Sequence, residues 1–381
     1  MIQPNTFYHT LAEHGMDFYT GVPDSLLKNL CAYITDHAER KNNIIAANEG
    51  GAMGLAAGYY LATGKTPVVY MQNSGLGNTV NPLMSLTDKE VYNIPVLLVI
   101  GWRGEPGKHD EPQHVKQGKA TLPLLEAMGI KYEILADEEQ ALKEQVARAA
   151  AYMTETKEAF ALIVKKGTFD SYTLSSLHAP HTVLHVSREE AIQAVAASMD
   201  TKAVVVSTTG MISRELFEYR ATKQEGHHRD FLTVGSMGHA SQIALGIALN
   251  HPERKVYCFD GDGATIMHMG NLGIVGTMAP QNYYHIVFNN GAHDSVGGQP
   301  TIGFQIDLPE IASSCGYKTV VSVDTMEDLQ ETLKTLTDND APLLLEIKVK
   351  KGNRADLGRP TTTPIQNKDA LMDFLNNATK S

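Results

Sequence analysis

Short apolar runs recur along the chain and alternate with longer segments in which apolar and polar residues mix. The run at 95–100 is apolar throughout, which is typical of a parallel strand covered on both faces. Strands alternating with helices predict an α/β fold with mostly parallel sheets. The first half has predicted strands at residues 17–21, 44–47, 67–71, 95–100, 130–135 and 160–164. The second half has predicted strands at residues 203–206, 231–234, 256–259, 284–288, 319–323 and 343–350.

The two halves carry the same closing sequence, Val-Lys-Lys-Gly, at 164–167 and at 349–352, each time after an apolar run. We therefore predict two tandem α/β domains, at residues 1–167 and 187–381. Residues 168–186 are rich in Ser, Thr, Pro and His without a hydrophobic period, which predicts a linker. Ser187 and Glu190 form a capping box that begins the next helix.

Composition limits the possible functions. The 381 residues carry a formal charge of −11, which argues against general nucleic-acid binding, because contact with phosphates requires a basic surface. The three cysteines have no metal-binding spacing, and Cys258 lies in an apolar run, where it is expected to be a small core residue. With no leader-like N-terminus and no run of membrane length, we expect a cytoplasmic protein that contacts no membrane.

Two predicted strands of the second half are followed by side chains that carry oxygen. Gly-Asp-Gly at 261–263 follows one strand, and Asn-Asn at 289–290 follows the next. Because ligands bind at the carboxyl ends of parallel strands, we predict that Asp262, Asn290 and the backbone carbonyl of Ala292 hold a cation. Such hard oxygen donors suit magnesium or calcium rather than zinc.

The same motif offers space for an anion. Gly261 and Gly263 have no side chains, so a diphosphate could approach the backbone closely. A helix predicted from about Ala264 would point free N–H groups at that anion. The hydroxyls of Thr208 and Thr209 either bind a diphosphate or cap the following helix. A Gly-Asp-Gly triplet alone often marks only a turn.

Other candidates follow strands of the first half. Asp24 and Ser25 lie in a loop after the first strand, where they either serve a site or cap the next helix. Glu49 begins a segment of small residues that predicts a closely packed helix, and it is either a catalytic carboxylate or a helix-start carboxylate. The segment 101–116 is predicted to be a long cationic loop, either a substrate loop or a solvated surface loop. Its cationic candidates are Arg103, Lys108, His109, His114 and Lys116.

Gly-Asp-Gly, a spacer of about 25 residues and Asn-Asn form the motif of the thiamine-diphosphate enzymes, and the chain resembles that family over essentially its whole length. The resemblance implies bound thiamine diphosphate and Mg²⁺. It implies that Glu49 bonds the aminopyrimidine ring of the cofactor and takes part in general acid–base catalysis. It also matches the segment Gly235-Ser236-Met237 to the cofactor pocket: Gly235 would offer its carbonyl, and Met237 would lie under the cofactor and bend it.

A compact chain without a middle domain, carrying Gly-Val-Pro-Asp-Ser at 21–25 and Gly-Trp-Arg-Gly-Glu at 101–105, resembles the phosphonopyruvate decarboxylase branch of that family. The sulfopyruvate decarboxylases are the alternative branch. A third hypothesis is a protein that binds Mg²⁺ and a diphosphate without turnover. The resemblance implies a small anionic 2-oxoacid substrate, a place in phosphonate biosynthesis, and a homo-oligomer with active sites between subunits. Arg103 is the first candidate for holding the phosphonate. The tail arginines Arg354 and Arg359 are either surface charges or reach a site.

Overall fold

The computed structural model describes residues 1–175 and 184–377. They form two compact units. The first is the described part of Met1–His178 together with His293–Pro300, and the second is the described part of Ala179–Ala292 together with Thr301–Ser381. The predicted linker at 168–186 includes residues 176–183, which lie outside the described residues, as does the end of the tail at 378–381.

The first unit contains a six-stranded sheet in the order β2-β1-β3-β4-β6-β5, and every neighbouring pair is parallel. Its strands are β1 (Tyr19–Gly21), β2 (Asn43–Ile45), β3 (Val68–Gln72), β4 (Leu97–Gly101), β5 (Lys131–Ile134) and β6 (Phe160–Val164). Its helices are α1 (Pro4–Glu13), α2 (Lys28–His37), α3 (Glu49–Thr63), α4 (Leu76–Pro82), α5 (Pro112–Ala127) and α6 (Glu139–Thr156).

The second unit contains a six-stranded parallel sheet in the order β13-β14-β10-β9-β7-β8. Its strands are β7 (Val204–Ser207), β8 (Asp230–Leu232), β9 (Val256–Gly261), β10 (Tyr283–Asn289), β13 (Thr319–Val323) and β14 (Leu343–Lys348). The chain also forms a two-residue pair, β11 (Ala292–His293) with β12 (Gln299–Pro300). The helices are α7 (Arg188–Ser198), α8 (Met211–Lys223), α9 (Ala240–Asn250), α10 (Asp262–Met267), α11 (Gly270–Met278), α12 (Leu308–Ser314), α13 (Met326–Thr335) and α14 (Pro364–Asn377).

The two sheets have the same topology. If β7, β8, β9, β10, β13 and β14 are counted as the first to sixth strands of the second sheet, both sheets read 2-1-3-4-6-5. The repeated Val-Lys-Lys-Gly sequence therefore marks the same place in both units, the end of the sixth strand. In each sheet the first and third strands meet where the strand order reverses, which is where open α/β sheets bind ligands.

Both faces of each sheet are buried. Along β3, Val68 and Tyr70 pack into one apolar cluster, whereas Val69 and Met71 pack into another on the opposite face. The second sheet is likewise covered on both faces by apolar clusters. This two-sided burial explains why the strands read as continuous apolar runs in the sequence.

The α/β fold with two parallel sheets is confirmed, and all predicted strands are present with ends that shift by at most two residues. The predicted capping box is also present, since Ser187 and Glu190 bond reciprocally at the start of α7. None of the described helices is both long enough and apolar enough to cross a membrane.

Three predicted boundaries were wrong. The predicted loop at 101–116 ends at Glu111, because Pro112 occupies the first position of α5, where a missing N–H costs nothing. The glycine-rich, polar sequence at 72–79 predicts a loop that leads into a helix at 80–86, but the chain is helical from Leu76. The helix after Gly-Asp-Gly begins at Asp262 itself rather than near Ala264, with Gly261 as its N-cap.

Candidate functional site

Asp262 is the first residue of α10, directly after β9, and is only 2% exposed. The Thr301 hydroxyl and the backbone N–H of Asn290 donate hydrogen bonds to its carboxylate. No Lys, Arg or His pairs with it anywhere in residues 1–175 and 184–377. Burial raises the pKa of Asp262 to about 6, since the hydrogen bonds it accepts offset only part of the lost solvation. A cation bound here therefore competes with a proton below that pH.

The Asn289–Asn290 turn lies beside Asp262 and is held by side chains from distant parts of the unit. Asn289 donates from its amide to the Gly303 carbonyl (2.8 Å) and to Glu346 Oε1 (2.7 Å). A Cβ atom on Gly303 would stand 2.6 Å from both Asp262 Oδ2 and Asn289 Oδ1. Only glycine fits at this position, so the two motifs and Gly303 form one tight cradle.

This cradle fits a hard cation. The side-chain oxygens of Asp262 and Asn290 belong to one unit and are both buried, as is Ala292. Asn290 Oδ1 accepts from the Ala292 N–H at 3.0 Å, which fixes the amide. Carboxylate, amide and carbonyl oxygens are the donors that magnesium takes. Among the described residues, no positively charged side chain pairs with the Asp262 carboxylate. A bound cation would supply that charge.

The other predicted cofactor residues of this unit follow β7 and β8. Thr208 is buried, and its N–H donates to the Phe259 carbonyl, so its backbone extends the pairing between β7 and β9. Thr209 is half-buried after it. Gly235 and Met237 are half-buried, and Ser236 is exposed with a left-handed backbone (φ 52°). These residues lie beyond the carboxyl ends of their strands, where the sequence placed them.

Glu49 begins α3 in the first unit and is 5% exposed. The Asn48 side chain caps the helix by accepting from the Gly51 N–H at 2.8 Å. The Asn78 amide donates to Glu49 Oε2 at 2.7 Å. Because Asn78 leaves further acceptor positions of the carboxylate unused, Glu49 can share a proton with a ligand at this edge of the sheet.

Gly75 makes room for the Glu49 carboxylate. A Cβ atom on Gly75 would stand 2.3 Å from Glu49 Oε1, whereas a Cβ on Gly77 would meet nothing within 4 Å. We expect Gly75→Ala to displace the carboxylate; given the catalytic role predicted for Glu49, that displacement should lower kcat/KM by at least about tenfold, since misplacing a catalytic group by about 1 Å is costly.

Gly77→Ala is the matched control, since it adds the same methyl group to α4. Steady-state kinetics and thermal unfolding of both variants provide the measurement. Equal activities in the two variants would show that the position of Glu49 does not depend on Gly75.

Asp24, Ser25 and Arg103 are brought together at the carboxyl edge of the first sheet. Asp24 is fully buried and accepts from Gln72 Nε2 at 2.6 Å, which links the ends of β1 and β3. Burial raises the pKa of Asp24, against the opposing effect of its hydrogen bonds. Arg103 Nη1 donates to the Ser25 hydroxyl at 2.7 Å. Arg103 also binds both carboxylate oxygens of Asp110.

The segment after β4 is less cationic than the sequence suggested. Although burial raises the pKa of Asp110, the Arg103 guanidinium and the Gly104 N–H lower it to about 2, so Arg103 carries a permanent counter-ion. His114 lies buried in α5, and burial together with the Arg103 charge lowers its pKa to about 4, so it is neutral at pH 7. Lys108, His109 and Lys116 are exposed. The positive charge of this segment is therefore smaller than its Arg, Lys and His residues suggested, because burial and pairing cannot be seen in the sequence.

Sequence reasoning missed several residues that shape these sites. Asp110, Thr301 and Glu346 were not singled out, and no short-range signal indicates which distant residue they meet. Gln72 and Asn78 lie in a polar, glycine-rich segment directly after a strand, and that position could have marked them. In the tail, Arg354 pairs with acidic side chains of its own unit, Glu189, Glu218 and Asp356.

Two family models match the chain. The thiamine pyrophosphate enzyme N-terminal TPP binding domain matches residues 5–129, and the thiamine pyrophosphate enzyme C-terminal TPP binding domain matches residues 208–347. The first match contains Glu49 and Arg103, and the second contains Asp262 and Asn290.

Curated relatives match nearly the whole chain. A phosphonopyruvate decarboxylase of Streptomyces viridochromogenes is 35% identical over 92% of this chain and 89% of that protein. A phosphonopyruvate decarboxylase of Streptomyces hygroscopicus is 36% identical over 96% of this chain and 92% of that protein. A sulfopyruvate decarboxylase of Methanosarcina acetivorans is 28% identical over 90% of each chain.

Proposed function

Because the chain belongs to the phosphonopyruvate decarboxylase family of thiamine-diphosphate enzymes, we propose that it converts 3-phosphonopyruvate to phosphonoacetaldehyde and carbon dioxide. The observation that carries this proposal is the placement of Glu49 and Asp262. Each is a buried carboxylate at the carboxyl edge of its own parallel sheet, and each lies within a matched domain. A protein that only bound a diphosphate would need Asp262 but not Glu49.

The test is an assay of the purified chain with thiamine diphosphate, Mg²⁺ and either phosphonopyruvate or sulfopyruvate. We expect a higher kcat/KM for phosphonopyruvate, with aldehyde and carbon dioxide formed in equal amounts. Preference for sulfopyruvate would assign the activity of the Methanosarcina relative instead. Cofactor binding without turnover of either acid would support the non-catalytic reading.

In this proposal, Asp262, Asn290 and the Ala292 carbonyl hold Mg²⁺ against the diphosphate of the cofactor. The groups that face the rest of the diphosphate are Thr208, Thr209, Gly261, Gly263 and Ala264. Gly235, Ser236 and Met237 line the pocket, and Glu49 holds a proton at the pyrimidine ring. When bound, thiamine diphosphate accepts the electrons released as the carboxylate of the substrate leaves.

Arg103 is the proposed phosphonate ligand. Its guanidinium has five N–H donors, of which the bonds to Asp110 and Ser25 use three. The remaining donors and the planar shape suit a phosphonate oxygen. Asp110 and Ser25 hold the guanidinium in place, so little side-chain entropy is lost when the substrate binds. Asp24, His109 and His114 are the other residues proposed for the substrate side of the site. Lys108, which is exposed and close to Arg103 in sequence, is a further candidate ligand of the phosphonate.

We expect Arg103→Ala to lower kcat/KM for phosphonopyruvate about ten- to more than a hundredfold, from the loss of a charge-assisted contact of about 1.5–3 kcal/mol. The loss for pyruvate should be far smaller, because pyruvate has no phosphonate. Arg148→Ala removes an exposed arginine paired with Glu133 and serves as the control. Equal losses for both substrates would mean that Arg103 supports the loop and does not bind the phosphonate.

We also propose a homo-oligomer in which Glu49 of one chain and Asp262 of another complete one site. The family resemblance supports this arrangement. Mixing inactive Glu49→Gln and Asp262→Ala chains should restore part of the activity, because one of the two sites in a mixed pair is then intact. A monomeric active enzyme in sedimentation experiments would contradict it.

A further inference from the structure

A second cluster of ligand-type side chains lies inside the second sheet. Cys258 and Asp260 are two residues apart on β9, so they point to the same face. His285 lies on β10 directly beside Cys258 in the parallel register. One ligand atom from each of the three residues lies within 4.8 Å of the other two. All three side chains are buried, with residue exposures of 0–1%.

Two of the three ligand groups, those of His285 and Asp260, are poorly satisfied. His285 Nε2 is buried and has no hydrogen-bond partner, and its distance of 3.5 Å from Asp260 Oδ2 is too long for a good bond. Asp260 Oδ1 accepts only the Gly261 N–H, at 3.1 Å, among the bonds in the described residues. No Lys or Arg of the described residues pairs with Asp260, and the basic group that faces its carboxylate in this cluster is His285 Nε2.

The opposite side of the imidazole is anchored. His285 Nδ1 lies 3.1 Å from the hydroxyl of Tyr317, which is itself buried. A ring that is held by a hydrogen bond at Nδ1 and has an unbonded Nε2 3.5 Å from a carboxylate oxygen has the arrangement of a metal-binding histidine with its outer partner.

We propose that Cys258 Sγ, an Asp260 carboxylate oxygen and His285 Nε2 bind one zinc-like transition-metal ion. Thiolate, imidazole and carboxylate are the ligands that zinc takes, and three of them leave a fourth position for water. Binding would displace the Cys258 proton and would give both His285 Nε2 and the Asp260 carboxylate a partner. The ion would be distinct in ligand chemistry from the oxygen-lined cradle of Asp262.

The experiment uses the full chain, stripped with a chelator and titrated with Co²⁺ as the probe. We expect about one equivalent of Co²⁺ to give a thiolate-to-cobalt charge-transfer band and to be displaced by Zn²⁺. The band should be absent in Cys258→Ser and present in Cys31→Ser, which alters another buried cysteine that belongs to no three-residue cluster of metal-ligand side chains among the described residues. It should persist in Asp262→Asn, which separates this site from the cofactor's metal.

Two further measurements keep the test decisive if Cys258→Ser does not fold. Tyr317→Phe removes the outer hydrogen bond of His285 and should weaken Co²⁺ binding about 10- to 100-fold. Zn²⁺ should raise the unfolding midpoint of the stripped wild-type chain and of Cys31→Ser. Wild-type protein that shows no thiolate–cobalt band, or a band unchanged in Cys258→Ser, would overturn the proposal. Unchanged Co²⁺ affinity in Tyr317→Phe would overturn the proposed anchoring of His285.

Discussion

Replacing Glu49 with glutamine is expected to lower kcat by about 10²–10⁴-fold while thiamine diphosphate still binds. The amide has nearly the same shape as the carboxylate but cannot take up and release a proton at the pyrimidine ring. Asn78 donates its amide to Glu49 Oε2, and a glutamine can present its carbonyl oxygen to the same donor. The local structure of Glu49→Gln should therefore be unchanged, and the lower kcat should come from the loss of proton transfer alone.

The direct measurement is the rate of hydrogen–deuterium exchange at the reactive carbon of the bound cofactor, followed by NMR. It should slow in Glu49→Gln by a factor similar to the loss of kcat, whereas calorimetry should show nearly unchanged cofactor affinity. Glu133→Gln, at an exposed ion pair of the same unit, is the control. An exchange rate equal to that of the wild type would remove Glu49 from the catalytic role.

Asp262→Ala is expected to abolish saturable binding of thiamine diphosphate and Mg²⁺ while the chain stays folded. Asp262 is the only carboxylate among the proposed metal ligands, and Asn290 and the Ala292 carbonyl carry no charge to replace it. Calorimetry with and without Mg²⁺ provides the measurement, and Asp369→Ala on α14 is the exposed control. Unchanged affinity in Asp262→Ala would contradict the assignment.

When no cofactor is bound, the buried carboxylate of Asp262 should lower the stability of the folded protein. The folded-state pKa of Asp262, about 6, lies above its ordinary value of 3.8, so folding favours the protonated form. The resulting penalty is absent well below pH 3.8, grows between pH 3.8 and 6, and is complete above pH 6. Asp262→Asn should therefore unfold at an equal or higher temperature than the wild type at pH 8, when neither contains cofactor.

Loss of cofactor binding in Asp262→Ala, together with an equal or higher unfolding temperature in Asp262→Asn, distinguishes a binding residue from a structural one. A structural aspartate would stabilise the folded chain, and its removal would lower the unfolding midpoint at every pH at which it is ionised. A lower midpoint for Asp262→Asn at pH 8 would show that Thr301 and the backbone N–H groups already satisfy the carboxylate. The interpretation of Asp262 as an unpaired buried charge at a functional site would then be wrong.

Features that arise from short stretches could be predicted from the sequence. The apolar runs identified the strands because a parallel strand is buried on both faces and is therefore mostly apolar in sequence. The order of Glu49, Gly235–Met237, Asp262 and Asn290 along the chain indicated the family and the cofactor. The repeated Val-Lys-Lys-Gly sequence indicated two related units, and the shared strand order agrees with it.

The sequence determined the strands, the α/β class and the residue types at the strand ends, because these depend on local periodicity and on turns. Only the tertiary structure decided which distant groups meet. It placed Gly75 against Glu49, Asp110 on Arg103, Gly303 against Asp262, and His285 beside Cys258. It also made His114 neutral and Asp262 difficult to ionise, because burial depends on every element packed around a side chain. Contacts and desolvation of this kind have no signature in a short stretch of sequence, so pairing, space and charge state could be obtained only from the folded chain.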